Sequence, residues 1–184
     1  MSDPFQPQAA IEATRRWLEK AVIGLNLCPF AGQPWRQGRV WLRVSDAVSE
    51  QQLAEHLAEE LLALQQADPA ERETTLLIHP HVLADFLDYN DFLDLADAVL
   101  EDLDMAGIFQ IASFHPDYRF ADGPADDPAH CTNRSPYPML HLLREASIEA
   151  ATARMNEPEA IYERNIQTMR ELGLAGWRKL NERG

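Results

Sequence analysis

The stretch that decides the fold is HCTNRSPYPMLHLLREASIE, residues 130–149. Ser135 is a favourable helix N-cap, Pro136 stands where a first-turn N–H has no partner anyway, and Pro138 still fits that turn. The spacing predicts a helix from Pro136 to about Met155. On such a helix His141, Arg144 and Glu145 share one stripe at i, i+3 and i+4, and Leu140, Leu143 and Ser147 form the adjacent one. A histidine with a carboxylate one turn away suits a general acid/base whose imidazole is oriented by its neighbour. The same residues also make ordinary surface pairs, worth only tenths of a kcal/mol.

Upstream, IFQIASF (108–114) reads as a strand, and a loop rich in Pro, Asp and Gly runs from about His115 to Arg134. A loop of about twenty residues in a compact domain tends to be functional. It begins where a strand ends, and ligands of open α/β sheets sit beyond the carboxyl ends of strands. The two proline residues leave few free N–H groups at the expected helix start, so anion binding there leans on Arg134 with Thr132, Asn133 and Ser135. The structural alternative pairs Arg134 with Asp126 or Asp127.

Nearer the N-terminus, AAIEATRRWLEKAVIGLN (9–26) predicts a helix that puts Trp17, Leu18, Ala21, Val22 and Leu25 on one face, with Gly24, Asn26 and Pro29 ending it. GQPWRQG (32–38) reads as a loop and RVWLRV (39–44) as a strand. Ser49 and Gln52 form a capping box ahead of a helix carrying Leu53, Leu57, Leu61 and Leu64. TTLLIHP (74–80) has the pattern of a buried strand. A helix from about Val82, interrupted near DYND (88–91), ends at Gly107. Its buried face is Tyr89, Phe92, Ala96, Val99, Leu100 and Leu103. A last helix runs from Pro158 to about Leu172, capped by Asn156 and Glu159, and the tail LAGWRKLNERG forms a final turn or short helix. The order is αβαβαβ, loop, αα. It predicts one α/β (or α+β) domain over residues 1–184 with a three-stranded sheet covered by helices. The core spans about residues 8–173 between a flexible N-terminus and a short tail.

The chain carries 16 Lys and Arg against 30 Asp and Glu, a net charge of −14, which disfavours nucleic acid and anionic membranes as partners. No Lys or Arg occurs from His81 to Gly107, the pattern of a solvated helix face. The start MSDPFQPQAA lacks a basic segment followed by an apolar one, and a cytoplasmic location is expected. Cys28 and Cys131 are then free thiols, with Cys28 in NLCPFAG (26–32) a small buried hydrophobe unless folding brings a histidine to it. His115, His130, His141, Glu145 and Cys131 supply enough donors for zinc, but their spacing matches no metal signature, and no metal ligand is assigned. GxGxxG, P-loop, HExxH and GxSxG motifs are absent, so nucleotide-dependent and serine-hydrolase readings lose their usual support, and the sequence leaves the cofactor unknown.

AVIGLNLCPFA, TTLLIHP, QIASFHPDYRFA and TNRSPYPMLHLLREASIE together resemble the bacterial domain-of-unknown-function family 1415, with the likeness extending from about Ala13 to Leu172. The resemblance implies a single-domain cytosolic bacterial protein and no particular activity. Its strongest phrases fall on Cys28, Pro29, Phe30, His115, Pro116, Asn133, Arg134, Ser135, His141, Arg144 and Glu145.

The leading expectation is an enzyme acting on a small anionic molecule, a carboxylate or phosphate. His115 or His141 would be the general acid/base, Glu145 would orient His141, and Asn133, Arg134, Ser135 and Arg144 would bind the substrate. One alternative is a non-catalytic binding or assembly protein in which the same residues form a hydrogen-bonded network pinning the loop. A metal-dependent hydrolase is a third.

Overall fold

A computed structural model describes residues 6–155 and 157–181. Helix α1 (Pro7–Trp17) continues into a π-helical turn, Leu18–Ile23. Trp17, Leu18, Ala21 and Val22 are buried, as their spacing predicts. The wide turn brings the Gly24 N–H to the Glu19 carbonyl at 3.0 Å. A Cβ on Gly24 would lie 2.3 Å from the Lys20 carbonyl oxygen, so glycine closes this turn. Asn26, with φ of 54°, then reverses the chain.

The remaining elements are α2 (Gly32–Arg36), β1 (Val40–Val44), α3 (Glu50–Gln66), β2 (Thr74–Ile78), α4 (Phe86–Asp102) and β3 (Phe109–Phe114). A 3₁₀ turn (Pro128–Asn133), β4 (Met139–Arg144), α5 (Glu145–Thr152) and α6 (Ala160–Asn181) follow. Helix α3 starts as the capping box requires: Ser49 Oγ accepts the Gln52 N–H at 3.3 Å, while Gln52 Oε1 accepts the Val48 N–H at 2.9 Å. Helix α4 begins four residues later than its apolar spacing suggests, because the Asp85 carboxylate accepts the Leu87 and Asp88 N–H groups. It runs through DYND without a break. Helix α2 replaces an expected loop.

The expected helix from Pro136 to Met155 is instead strand β4 followed by the short α5. MLHLLR is apolar on both faces, so it lacks the alternation that marks a half-buried strand and cannot be told from a helical segment by periodicity. Pairing decides the matter. β4 lies between β2 and β3, antiparallel to both, and the sheet has four strands in the order β1-β2-β4-β3 rather than three. β1 and β2 are parallel.

Each face of β4 feeds a separate core. Leu140 and Leu142, with Leu77 and Phe109, pack against Leu53, Leu57 and Leu61 of α3 and Tyr89, Phe92 and Ala96 of α4. Met139, with Leu76 and Ile78, packs against Trp17, Leu18 and Ala21 on the other face. A third cluster joins Leu27, Cys131 and Met169. Burying each of these larger side chains favours the fold by about 1.5–3 kcal/mol over leaving it exposed. Helix α6 bends at Gly173, whose φ of 68° suits glycine, and residues 174–181 of the tail, expected as a final turn or short helix, form its second half. The expected cap at Asn156 and the expected flexible N-terminus at residues 1–5 lie outside the described residues.

Tyr89, fully buried, locks the upper end of the β3–β4 ladder. Its hydroxyl donates to the Met139 carbonyl at 2.8 Å and accepts the Phe114 N–H at 3.0 Å, across the register pair Phe114–Met139. Tyr89→Phe strands both backbone groups, and urea unfolding is expected to show a loss of about 1–3 kcal/mol.

Candidate functional site

The long loop is held at its ends by an extension of the β3–β4 pairing. The His115 N–H donates to the Asn133 carbonyl at 3.2 Å, the Ser135 N–H donates to the His115 carbonyl at 3.4 Å, and Asn133 Nδ2 donates to the Ser113 carbonyl at 3.1 Å. Two histidines staple its interior. His115 Nδ1 accepts the Asp117 N–H at 3.0 Å, so its proton sits on Nε2 and donates to the Leu83 carbonyl at 3.1 Å. His130 Nδ1 accepts the Phe120 N–H at 3.1 Å, and Nε2–H donates to the Pro124 carbonyl at 2.9 Å. Both rings have each nitrogen engaged. Neither has a lone pair left to take a proton from a substrate or to hold a metal.

Arg134 and Ser135 belong to the same network. Arg134 Nε donates to the Tyr118 carbonyl at 3.2 Å and its Nη1 lies 3.8 Å from Cys131 Sγ. Asp127 pairs with Arg170 at 2.7 Å and not with Arg134. Ser135 Oγ–H donates to the Tyr137 carbonyl at 2.6 Å.

The residues that a helix would have aligned with this network are carried elsewhere by β4. On a strand, His141 and Arg144 point to opposite faces. Arg144 pairs with Phe109, the first residue of β3, whereas His115 follows the last. Six residues of strand separate these positions by about 20 Å. Arg144 Nη2 lies 2.6, 3.0 and 3.1 Å from the carbonyl oxygens of Leu64, Ala67 and Arg72. The guanidinium thus caps the C-terminus of α3, where the last carbonyls lack helical partners and a cation complements the helix dipole. Glu145, first residue of α5, makes no hydrogen bond to His141 among the described residues, and the orienting role expected of it is filled by Thr74.

The Thr74 hydroxyl fixes the His141 tautomer. Thr74 Oγ1 has one proton, which it donates to the Leu142 carbonyl at 2.9 Å. Toward His141 Nε2, at 2.5 Å, it therefore accepts, and the imidazole proton resides on Nε2. Nδ1 keeps its lone pair, with no hydrogen-bond partner among the described residues, yet it is not among the buried polar atoms left unsatisfied. The residue that carries it borders an adjacent space.

That space is a cavity of about 460 Å³ on the α1 face of the sheet. His141 and Thr74 form part of its floor, Cys28 and Trp35 part of its wall, and Arg39 and Arg154 bring charge to it. Arg39 is engaged by Glu73 at 2.6 Å, while exposed Arg154 has no acidic partner among the described residues. Burial pushes the His141 pKa down to about 4, so the ring is neutral at pH 7. Burial pushes the Cys28 thiol up, partly offset by the backbone N–H groups of Phe30 and Ala31. A cavity of this size, mostly apolar with a few convergent polar groups, has the character of a small-molecule site. The family model described as "Protein of unknown function (DUF1415)" matches residues 9–179.

The chain belongs to this family.

No curated protein and no solved structure matches it. In this DUF1415 member, His141 is the expected site residue that reaches the cavity with a free functional atom. Arg144 also lines it but spends its guanidinium on α3, and His115, Asn133, Arg134 and Ser135 do not line it. Sequence reasoning passed over Thr74, Arg39 and Arg154. The Thr-Thr pair that opens an otherwise apolar strand was the available signal for the first, and nothing local marks the two arginines. Among the described residues no three His, Cys, Asp or Glu side chains gather to hold a metal ion, and no helix is long and apolar enough to cross a membrane.

Removal of the Arg144 guanidinium leaves several α3-end carbonyls without their donor. Arg144→Ala is expected to cost about 2–4 kcal/mol in denaturant unfolding, well beyond a surface arginine.

Stability should also depend on pH through the buried histidines. Burial lowers His79 to about 4, as it does His141, and lowers His115 as well. The unfolded chain takes up protons near pH 6.5, whereas the folded chain does not until lower pH. This stability is fully present above about pH 6.5 and is lost as the pH falls toward about 4. Urea midpoints measured from pH 7.5 to 4.5 should fall, and His141→Gln should flatten the decline.

Proposed function

We propose that the protein is an enzyme acting on a small anionic molecule bound in the cavity on the α1 face, with His141 as general acid/base through Nδ1. The observation that carries this reading is the tautomer lock: Thr74 accepts Nε2–H at 2.5 Å and leaves the Nδ1 lone pair unpartnered on a residue that lines the cavity. A ring held neutral and oriented is ready to accept a proton, and a desolvated site strengthens its interaction with a charge that develops beside it. Arg154, at the cavity and without an acidic partner among the described residues, is the cation best placed to receive a carboxylate or phosphate. The volume sets the substrate at metabolite size.

The loop cluster supports the other reading of its own residues. His115 and His130 donate to backbone carbonyls, and Arg134 to a carbonyl and to the Cys131 sulfur, which supports a structural network that pins the loop.

Thermal unfolding with inorganic phosphate, succinate and citrate tests the proposal. At least one of these should raise Tm, since a ligand at one hundred times its Kd stabilises by about 2.7 kcal/mol. The shift should disappear in Arg154→Ala and persist in Arg134→Lys. Histidine ¹⁵N spectra should show the His141 Nδ1 resonance moving on ligand addition. Absence of any Tm response to all three anions, or a response untouched by Arg154→Ala, would sink the reading.

A further inference from the structure

The cavity contains a second reactive group that proton transfer by His141 does not by itself require. Cys28 follows the π-helical turn, and its thiol stands half-buried at the same cavity. We propose that Cys28 is the nucleophile of this site, accepting the acyl group of a small anionic ester or thioester with His141 as its activating base. The inference rests on the cavity being a small-molecule site.

Three observations support it. First, the backbone that carries Cys28 is clamped from both sides. The Leu27 and Cys28 N–H groups donate to the Val22 carbonyl at 2.9 and 3.4 Å, and α6 holds the preceding carbonyls through Asn165 Nδ2 to Leu27 at 2.7 Å and Arg164 Nη2 to Asn26 at 2.9 Å. A nucleophile needs such fixed placement. Second, the backbone N–H groups of Phe30 and Ala31 face the sulfur. The Ala31 N–H also donates to the Cys28 carbonyl at 3.3 Å, which fixes the turn that presents the thiol. Third, the other cysteine offers a contrast. Cys131 is fully buried in the Leu27–Met169 cluster and does not line the cavity.

The pair is neutral at rest. Burial raises the thiol and lowers the imidazole, so neither forms an ion pair before substrate arrives. Cys28, Arg39, Glu73, Arg144 and Arg154 are the titratable and charged groups that share the cavity with His141. On attack the Sγ proton passes to His141 Nδ1 while the sulfur lone pair forms a bond to the carbonyl carbon. The carbon–oxygen or carbon–sulfur bond to the leaving group then breaks, and His141 Nδ1–H returns its proton to that group. Water attacks the resulting acyl-Cys28 thioester and gives its proton to Nδ1. The carbon–Sγ bond breaks, the acid departs, and Sγ regains the proton. The net change is hydrolysis, with no oxidant or reductant.

The test uses the full chain with p-nitrophenyl acetate, followed by peptide mass spectrometry. The expected result is a burst of about one equivalent of p-nitrophenol followed by slower turnover, with an acetyl group on Cys28 in protein quenched during the burst and Cys131 unmodified. The rate should be nearly flat from about pH 5.5 to pH 8, because a neutral imidazole supplies the base across that range. In His141→Gln acetylation should slow at least about tenfold and rise about tenfold per pH unit, as for an unassisted thiol. If that variant does not fold, the profile of the unaltered protein decides: a tenfold rise per pH unit overturns the proposal. Iodoacetamide that labels Cys28 only after denaturation overturns it as well. A Tm response to anions without acetylation of Cys28 defeats this inference and leaves the cavity reading standing.

Discussion

The rest of the structure depends on the insertion of β4 between β2 and β3. Without it, β2 and β3 would face each other as parallel strands with nothing between them, because α4 carries the chain past an empty strand position. β4 fills that position antiparallel to both neighbours and is hydrogen-bonded along both edges. Its alternating side chains then knit the two helical layers through one sheet. This is a long-range solution. The partners of Met139–Arg144 lie some 30 residues upstream in β3 and further still in β2, so the two ends of the loop between β3 and β4 must be brought together for the sheet to close.

That requirement explains the chemistry of the loop. A segment with little regular structure still carries one donor and one acceptor per residue, and buried ones need partners. His115 and His130 solve this in the same way, each ring accepting an amide proton at Nδ1 and donating Nε2–H to a carbonyl. Arg134 and Asn133 add donors to carbonyls. Side chains that read as catalytic in sequence are thus consumed by backbone. Arg144 is consumed in the same way at the opposite end of the sheet, as a C-terminal cap for α3.

His141 differs because its position on β4 gives it a side-chain partner in place of a backbone one. Register sets it beside Leu76, and Thr74 reaches its ring from the neighbouring strand. The hydroxyl takes one nitrogen and leaves the other. The α1 face is incompletely filled at this point, since the π-helical turn, α2 and α5 stand around a gap that the sheet does not fill. One free nitrogen beside a cavity, with desolvation holding the ring neutral, is the arrangement that separates this histidine from its buried companions.

The sequence by itself determined the α/β character, the starts of α1, α3 and α6 to within a few residues, and three of the four strands. Those signals are local: Ser49 and Gln52 cap a helix, TTLLI alternates nothing because both faces are buried, and IFQIASF ends at a proline-containing loop. Only the tertiary structure decided that MLHLLR is a strand, since its apolar spacing serves a buried strand and a helix equally and the choice is made by β2 and β3 offering it hydrogen bonds on both sides. That choice turned Arg144 away from His141, gave His141 to Thr74 in place of Glu145, and brought Cys28 to the same cavity from more than one hundred residues away. Function follows from which atoms remain unpaired after folding, and pairing across such distances is a property of the closed sheet.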